Sequence, residues 1–235
     1  MNSYAPIAVA MDAPSLDVLG SWTQAVAPVV STVKIGLEVF CRDGAVAVTT
    51  ARSAAAEAGH GDIDVFLDLK LHDIPATVRG AATAVAPLAP TYLTVHAAGG
   101  GEMIAAAVQA LPDCRITAVT VLTSLDEPAL DRIGLRGPSL RAAVRLATLA
   151  VDAGAGAIVC SPREVAAIRA AVPSDVVLIT PGVRPAGSSM DDQKRVATPA
   201  QAIADGADLL VVGRPITAAD DPGQAAAAIA SDLRA

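Results

Sequence analysis

The sequence predicts a (β/α)8 (TIM) barrel, a single α/β domain over residues 1–235. Eight short apolar runs are each closed by a polar, Gly or Pro residue, and a helix-forming, Ala-rich stretch follows each of them. No two-residue hairpin turn joins one run to the next, so the chain reads as parallel βα units. A length of 235 residues is close to the roughly 250 of one complete barrel.

The runs lie at 7–12, 33–37, 65–70, 92–96, 116–123, 157–161, 176–181 and 209–214. The first ends in Met11, Asp12, Ala13 and Pro14, which is not the Gly-rich phosphate loop that often follows the first strand of an open, doubly wound sheet. The second carries Lys34 among apolar neighbours, a costly placement unless the charge is paired. The third ends in Asp68, Leu69 and Lys70, the fourth in His96, and the fifth runs out to Thr123 and Ser124. The last three close on Ser161, on Pro181 and on Gly213 with Arg214.

Hydrophobic residues make up 53% of the chain and charged residues 17%, enough for a sizeable core in which alanine is prominent. No long uncharged apolar stretch or basic-then-apolar opening is present, so the chain reads as soluble and cytoplasmic, without a membrane partner. A net charge of −7, no basic stripe and only five aromatic residues argue against a nucleic-acid partner. Cys41, Cys114 and Cys160 are too scattered for a disulfide framework or a zinc site and read as reduced thiols. Fourteen Arg stand against three Lys: Lys34, Lys70 and Lys194. A lysine kept in such a chain draws notice, because an ammonium can give up its proton whereas a guanidinium effectively never does.

Barrel chemistry sits where strands end at the C-terminal face. Alternation along the third run places Asp68 and Lys70 on one side, facing the interior, with Lys34 on the adjacent strand. Asp73 follows just before Pro75, which suits the first turn of the next helix. Carboxylates beside Lys70 favour its charged form, which suits a proton donor and not a Schiff-base nucleophile. Gly213 and Arg214, at the end of the eighth run, stand where barrels commonly bind phosphate. The long connection at 182–195, rich in Gly, Pro, Ser and Asp, has the composition of a mobile loop.

Asp68, Lys70 and Asp73, set in DLKLHDIPATV, resemble the signature of the orotidine 5'-monophosphate decarboxylase family. The resemblance runs nearly end to end, through VAMD at 9–12, VKIGLEVF at 33–40, TVHAAGG at 94–100, VTVLTS at 119–124, VCSP at 159–162, TPGVRP at 180–185 and VVGRPI at 211–216. Ala76 stands where that family often has Asn, and Ala98 where it often has Ser. The resemblance implies conversion of orotidine 5'-monophosphate to uridine 5'-monophosphate, the last step of de novo pyrimidine nucleotide synthesis, with no cofactor and no metal. It implies a catalytic group of Lys70, Asp68, Asp73 and Lys34. Asp12 and Lys34 would hold the ribose hydroxyls, Thr123 and Ser124 the pyrimidine, and Gln193, Gly213 and Arg214 the phosphate, with Arg184 on the loop folding over it. The unit would be a homodimer in which Asp73 and Thr77 reach the partner's site. His96 reads as a packing residue, and His60 and His72 as surface or packing residues. Metal-dependent sugar-phosphate relatives share the Asp-x-Lys-x-x-Asp pattern but carry Glu near position 34, where a lysine disfavours a magnesium site. A non-catalytic nucleotide-binding barrel is the other alternative, and turnover separates it from an enzyme.

Overall fold

The computed structural model describes residues 4–183 and 197–233. Strands β1 (Ala5–Ala10), β2 (Val30–Gly36), β3 (Asp64–Leu71), β4 (Tyr92–His96), β5 (Arg115–Val119), β6 (Ala157–Val159), β7 (Val177–Pro181) and β8 (Leu209–Val212) pair in chain order. β1 also pairs with β8, so the sheet closes into the expected barrel, parallel throughout.

The helices are α1 (Leu16–Val26), α2 (Leu37–Asp43), α3 (Ala45–Glu57), α4 (Pro75–Val85), α5 (Gly101–Ala110), α6 (Glu127–Arg132), α7 (Ser139–Asp152), α8 (Val165–Arg169), α9 (Pro199–Ala204), α10 (Arg214–Thr217) and α11 (Pro222–Asp232). Their starts are written locally. Ser15, Asp126, Thr198 and Asp221 each accept a first-turn amide with the side chain, and Pro75, Pro199 and Pro222 occupy first-turn positions where no amide hydrogen is needed. The alanines let helices lie close on the strands: Ala142, Ala143, Ala147 and Ala150 form the buried stripe of α7.

Two apolar clusters result, the larger lying between strands and helices. Ala8, Phe66, Tyr92, Ala157, Ile179 and Leu209 form the smaller one, which fills the barrel interior. Some strand ends differ from the apolar runs. β2 begins at Val30 rather than 33, because Ser31 and Thr32 extend the ladder although they are polar; Thr32 pairs with both Ala8 and Asp64. β5 stops at Val119, well short of 123, where the amide and hydroxyl of Thr120 both turn to the Val159 carbonyl, at 3.2 and 3.0 Å. Of the thiols, all unpaired, Cys41 is exposed and Cys160 buried, and burial pushes Cys114 up to about 12. His60 packs inside, its Nδ1 2.9 Å from the Ala27 carbonyl oxygen and its ring stacked on Tyr4. No helix among the described residues is long and apolar enough to cross a membrane.

Candidate active site

The parallel register assembles the charged group toward the C-terminal ends of the first three strands. Lys34 pairs with Ala10 on one side and Phe66 on the other, and Gly36 lies beside Asp68. One further ladder bond, from the Met11 amide to the Lys34 carbonyl at 2.9 Å, carries β1 out to Asp12. Lys34 Nζ then lies 3.2 Å from Asp68 Oδ2 and 3.9 Å from Asp12 Oδ1. The space for this meeting depends on Gly36: a Cβ there would sit 2.9 Å from Asp12 Oδ1 and 3.0 Å from Lys34 Nζ. Nothing in the VKIG pattern at 33–36 marks Gly36 for this role.

Lys70 Nζ donates to Asp68 Oδ1 at 2.8 Å, so the Asp68 carboxylate is held between two ammonium groups. Its side chain is only 12% exposed, and an unpaired carboxylate there would be expensive. Burial is the largest single influence on Asp68 and alone would raise its pKa. The combined attraction of Lys34 and Lys70 outweighs it and holds the group below the usual carboxylate range. The result is a negative charge held between two positive ones in the lining of a cleft.

Simple alternation does not produce this arrangement. Between the pairs Leu67–Leu93 and Leu71–Val95, β3 advances four residues while β4 advances two, so β3 carries a bulge spanning Asp68, Leu69 and Lys70. Lys70 adopts a left-handed backbone with φ of 51°, uncommon for a side chain of this kind. Its amide donates to Thr94 Oγ1 at 2.7 Å, and Thr94 Oγ1 in turn donates to Asp68 Oδ1 at 3.0 Å. Asp68 and Lys70 meet as expected, but through this bulge and not through an undistorted pleat.

The charged group closes one side of a cleft with a free volume of about 190 Å³. Lys34, Asp68 and Lys70 line it together with Phe66, Val119, Val121, Leu122, Thr123, Val159, Cys160, Pro181 and Val211. The cleft therefore has a charged side and an apolar wall. Of the two predicted pyrimidine contacts, Thr123 lines it, whereas Ser124, next to it on the same turn, is exposed. Asp73 is exposed and lies just ahead of the first turn of α4 rather than within it, its Oδ1 accepting the Ile74 amide at 2.7 Å. Thr77, in the first turn of α4, is also exposed, and neither residue lines the cleft of its own chain. His96 closes β4 half-buried, its ring centroid 5.4 Å from that of His72. Burial first, then His72 and Lys70, lower its pKa against the opposing pull of Asp68, so the neutral ring is favoured.

Gly213 is the residue between β8 and α10, and its Cα approaches Ala10 of β1 closely enough that an added Cβ would touch Ala10 Cβ at 3.5 Å. Arg214 opens α10 with an exposed side chain. Arg184 and Gln193 lie outside the described residues, as does most of the 182–195 connection. Its approaches are described: Val183 is fully buried and bridges to Ala197. Among the described residues, no group of three or more His, Cys, Asp or Glu is placed to hold a metal ion.

Comparison with known proteins extends the likeness beyond the site. The chain is 62% identical over 230 residues to an orotidine 5'-phosphate decarboxylase of Thermobifida fusca (strain YX), an alignment covering 98% of this chain and 96% of the relative. It is 57% identical to the enzyme of that name from Anaeromyxobacter sp. (strain K), covering 97% of both chains. The crystal structure of orotidine 5'-phosphate decarboxylase from Lactobacillus acidophilus superposes with a TM-score of 0.82 at 34% identity, covering 98% of this chain and all of that one. The sequence model of the orotidine 5'-phosphate decarboxylase / HUMPS family matches residues 5–229, and the chain belongs to that family.

Proposed function

We propose that this chain decarboxylates orotidine 5'-monophosphate to uridine 5'-monophosphate by electrostatic catalysis centred on Lys70. The observation that carries the reading is the Lys34–Asp68–Lys70 array, with contacts of 3.2 and 2.8 Å, set against an apolar wall. When the bond from ring carbon six to the carboxylate breaks, carbon dioxide leaves and the electron pair stays on the ring carbon. An ammonium fixed beside that carbon before the reaction stabilises the carbanion without reorganising. The Nζ–H bond of Lys70 then breaks, the proton passes to carbon six, and the neutral amine takes a proton back from solvent. Asp68 holds Lys70 in place and sets its own negative charge near the departing carboxylate. The apolar wall of Val119, Val121, Val159, Pro181 and Val211 suits neutral carbon dioxide better than the carboxylate it comes from.

Asp12 and Lys34, 3.9 Å apart, hold the ribose hydroxyls, and Thr123 and Ser124 meet the pyrimidine. Gly213 and Arg214 receive the phosphate, joined by Gln193, while Arg184 belongs to the segment that folds over it. The catalytic unit is a homodimer in which Asp73 and Thr77 enter the partner's site. Their exposure supports this, as does Ile74 between them, an apolar side chain 66% exposed at the active-site end of the barrel. Lys34 puts a cation near the position where the metal-dependent sugar-phosphate relatives carry Glu, and this favours the nucleotide over a magnesium-dependent substrate.

The test mixes purified protein with orotidine 5'-monophosphate in excess chelator and follows the loss of orotate absorbance. Formation of uridine 5'-monophosphate at an undiminished rate is expected. Absence of turnover, or turnover only with added magnesium, would overturn the reading.

A further inference from the structure

We infer that Thr94 is the positioning residue that sets the Asp68–Lys70 pair, with its single hydroxyl joining the side chain of one to the backbone of the other. This rests on the reading of Lys70 as the acid. Thr94 sits in the middle of β4, fully buried and away from the cleft lining, so it does not touch substrate. A hydroxyl has one hydrogen and two lone pairs, and both kinds of capacity are used here. The Lys70 amide can only donate, so Thr94 Oγ1 accepts at 2.7 Å; the Asp68 carboxylate can only accept, so the hydroxyl hydrogen goes to Oδ1 at 3.0 Å. Both directions are fixed by chemistry.

The strand pattern explains the need for this hydroxyl. The bulge takes the Lys70 amide out of the regular β3–β4 ladder, which resumes only at Leu71 and Val95. A buried amide without an acceptor is costly, and the left-handed backbone at Lys70 persists only where its surroundings hold it. The hydroxyl of Thr94 supplies the missing acceptor. The same Asp68 oxygen receives both Thr94 Oγ1 and Lys70 Nζ, at 3.0 and 2.8 Å. Thr94 on β4 therefore anchors the Lys70 backbone directly and the Lys70 ammonium through Asp68. Lys70 cannot swing away from Asp68 without breaking a bond at its own amide or at the carboxylate. Reacting groups must be held to within about half an ångström of productive geometry, and this anchor is suited to that task.

The experiment compares Thr94→Val, which keeps the shape without the hydroxyl, with Thr94→Ser, which keeps the hydroxyl. Measured are kcat, the Kd for uridine 5'-monophosphate and the thermal midpoint, with Lys70→Ala alongside. Thr94→Val should lose about 10- to 100-fold in kcat, the range expected for hydrogen bonds to charged groups, while binding the nucleotide within about twofold of wild type. Thr94→Ser should recover kcat to within about threefold. If Thr94→Val does not fold, Thr94→Ala is read the same way. Three outcomes would overturn the proposal: wild-type kcat in the variant lacking the hydroxyl, equal losses in the Ser and Val variants, or nucleotide affinity falling in step with kcat. Turnover surviving in Lys70→Ala would instead show that the reading of the acid had failed.

Discussion

Replacing Lys70 by glycine and, separately, by alanine isolates the backbone strain at the proposed acid. Both variants remove the ammonium, so electrostatic losses to Asp68 are common to the two and cancel in the comparison. What differs is the backbone, which at φ of 51° lies in the left-handed region. For a residue with a Cβ that region costs about 1–2 kcal/mol, and glycine escapes the cost. Against this, glycine loses about 0.4–1 kcal/mol more than alanine through the freedom of its unfolded chain. The balance favours glycine by roughly 0.5–1 kcal/mol. At about 2–4 °C per kcal/mol for a chain of this size, Lys70→Gly should melt roughly 1–4 °C above Lys70→Ala at equal protein concentration. The sign is the informative part, because in an ordinary strand glycine is the less stable of the two by about 0.5–1 kcal/mol. A lower midpoint for Lys70→Gly would refute the strained bulge and the account of how Lys70 reaches Asp68.

Asp68→Asn should change the pH dependence of stability. The carboxylate is held below its ordinary value, so its contribution is fully present above the unfolded value of about 3.9 and is lost as pH falls through the depressed folded one. The variant should be less stable at neutral pH by about 3 kcal/mol, and in urea titrations its stability should fall less steeply below about pH 4; parallel slopes would contradict this. For the phosphate end, orotidine should show a lower kcat than its 5'-monophosphate when both are measured to saturation, because binding energy remote from the reacting carbon supports the closed site. Arg214→Ala should imitate that loss with the full substrate and Arg184→Ala should be milder; equal kcat with only KM changed would mean that the phosphate is merely a handle.

The barrel was legible because each strand is buried on both faces and leaves a short apolar run with a polar end. The runs failed where polar residues take strand positions, as at Ser31 and Thr32, and where an apolar run outlasts its strand, as beyond Val119. The charges were legible for a related reason: Lys34 and Asp68 are conspicuous in apolar surroundings, and adjacent strands brought them together. Periodicity assumes an even pleat, so the bulge that turns Lys70 was not visible in it. Nothing in the sequence distinguishes Thr94 within TVHAAGG, since a threonine in a strand reads as an ordinary β-former. The apolar side of the cleft was equally hidden, because Val119, Val159 and Val211 look like any other core residues until the barrel closes.

The proposed role of the Lys70 ammonium is to stabilise the carbanion and supply its proton. The most direct measurement is single-turnover decarboxylation by Lys70→Ala at saturating orotidine 5'-monophosphate, with uridine 5'-monophosphate binding as the control for a folded site. The rate should fall by at least about 100-fold, the loss of one preorganised charge, with product affinity retained. A near-wild-type rate in a variant that binds the product normally would contradict it.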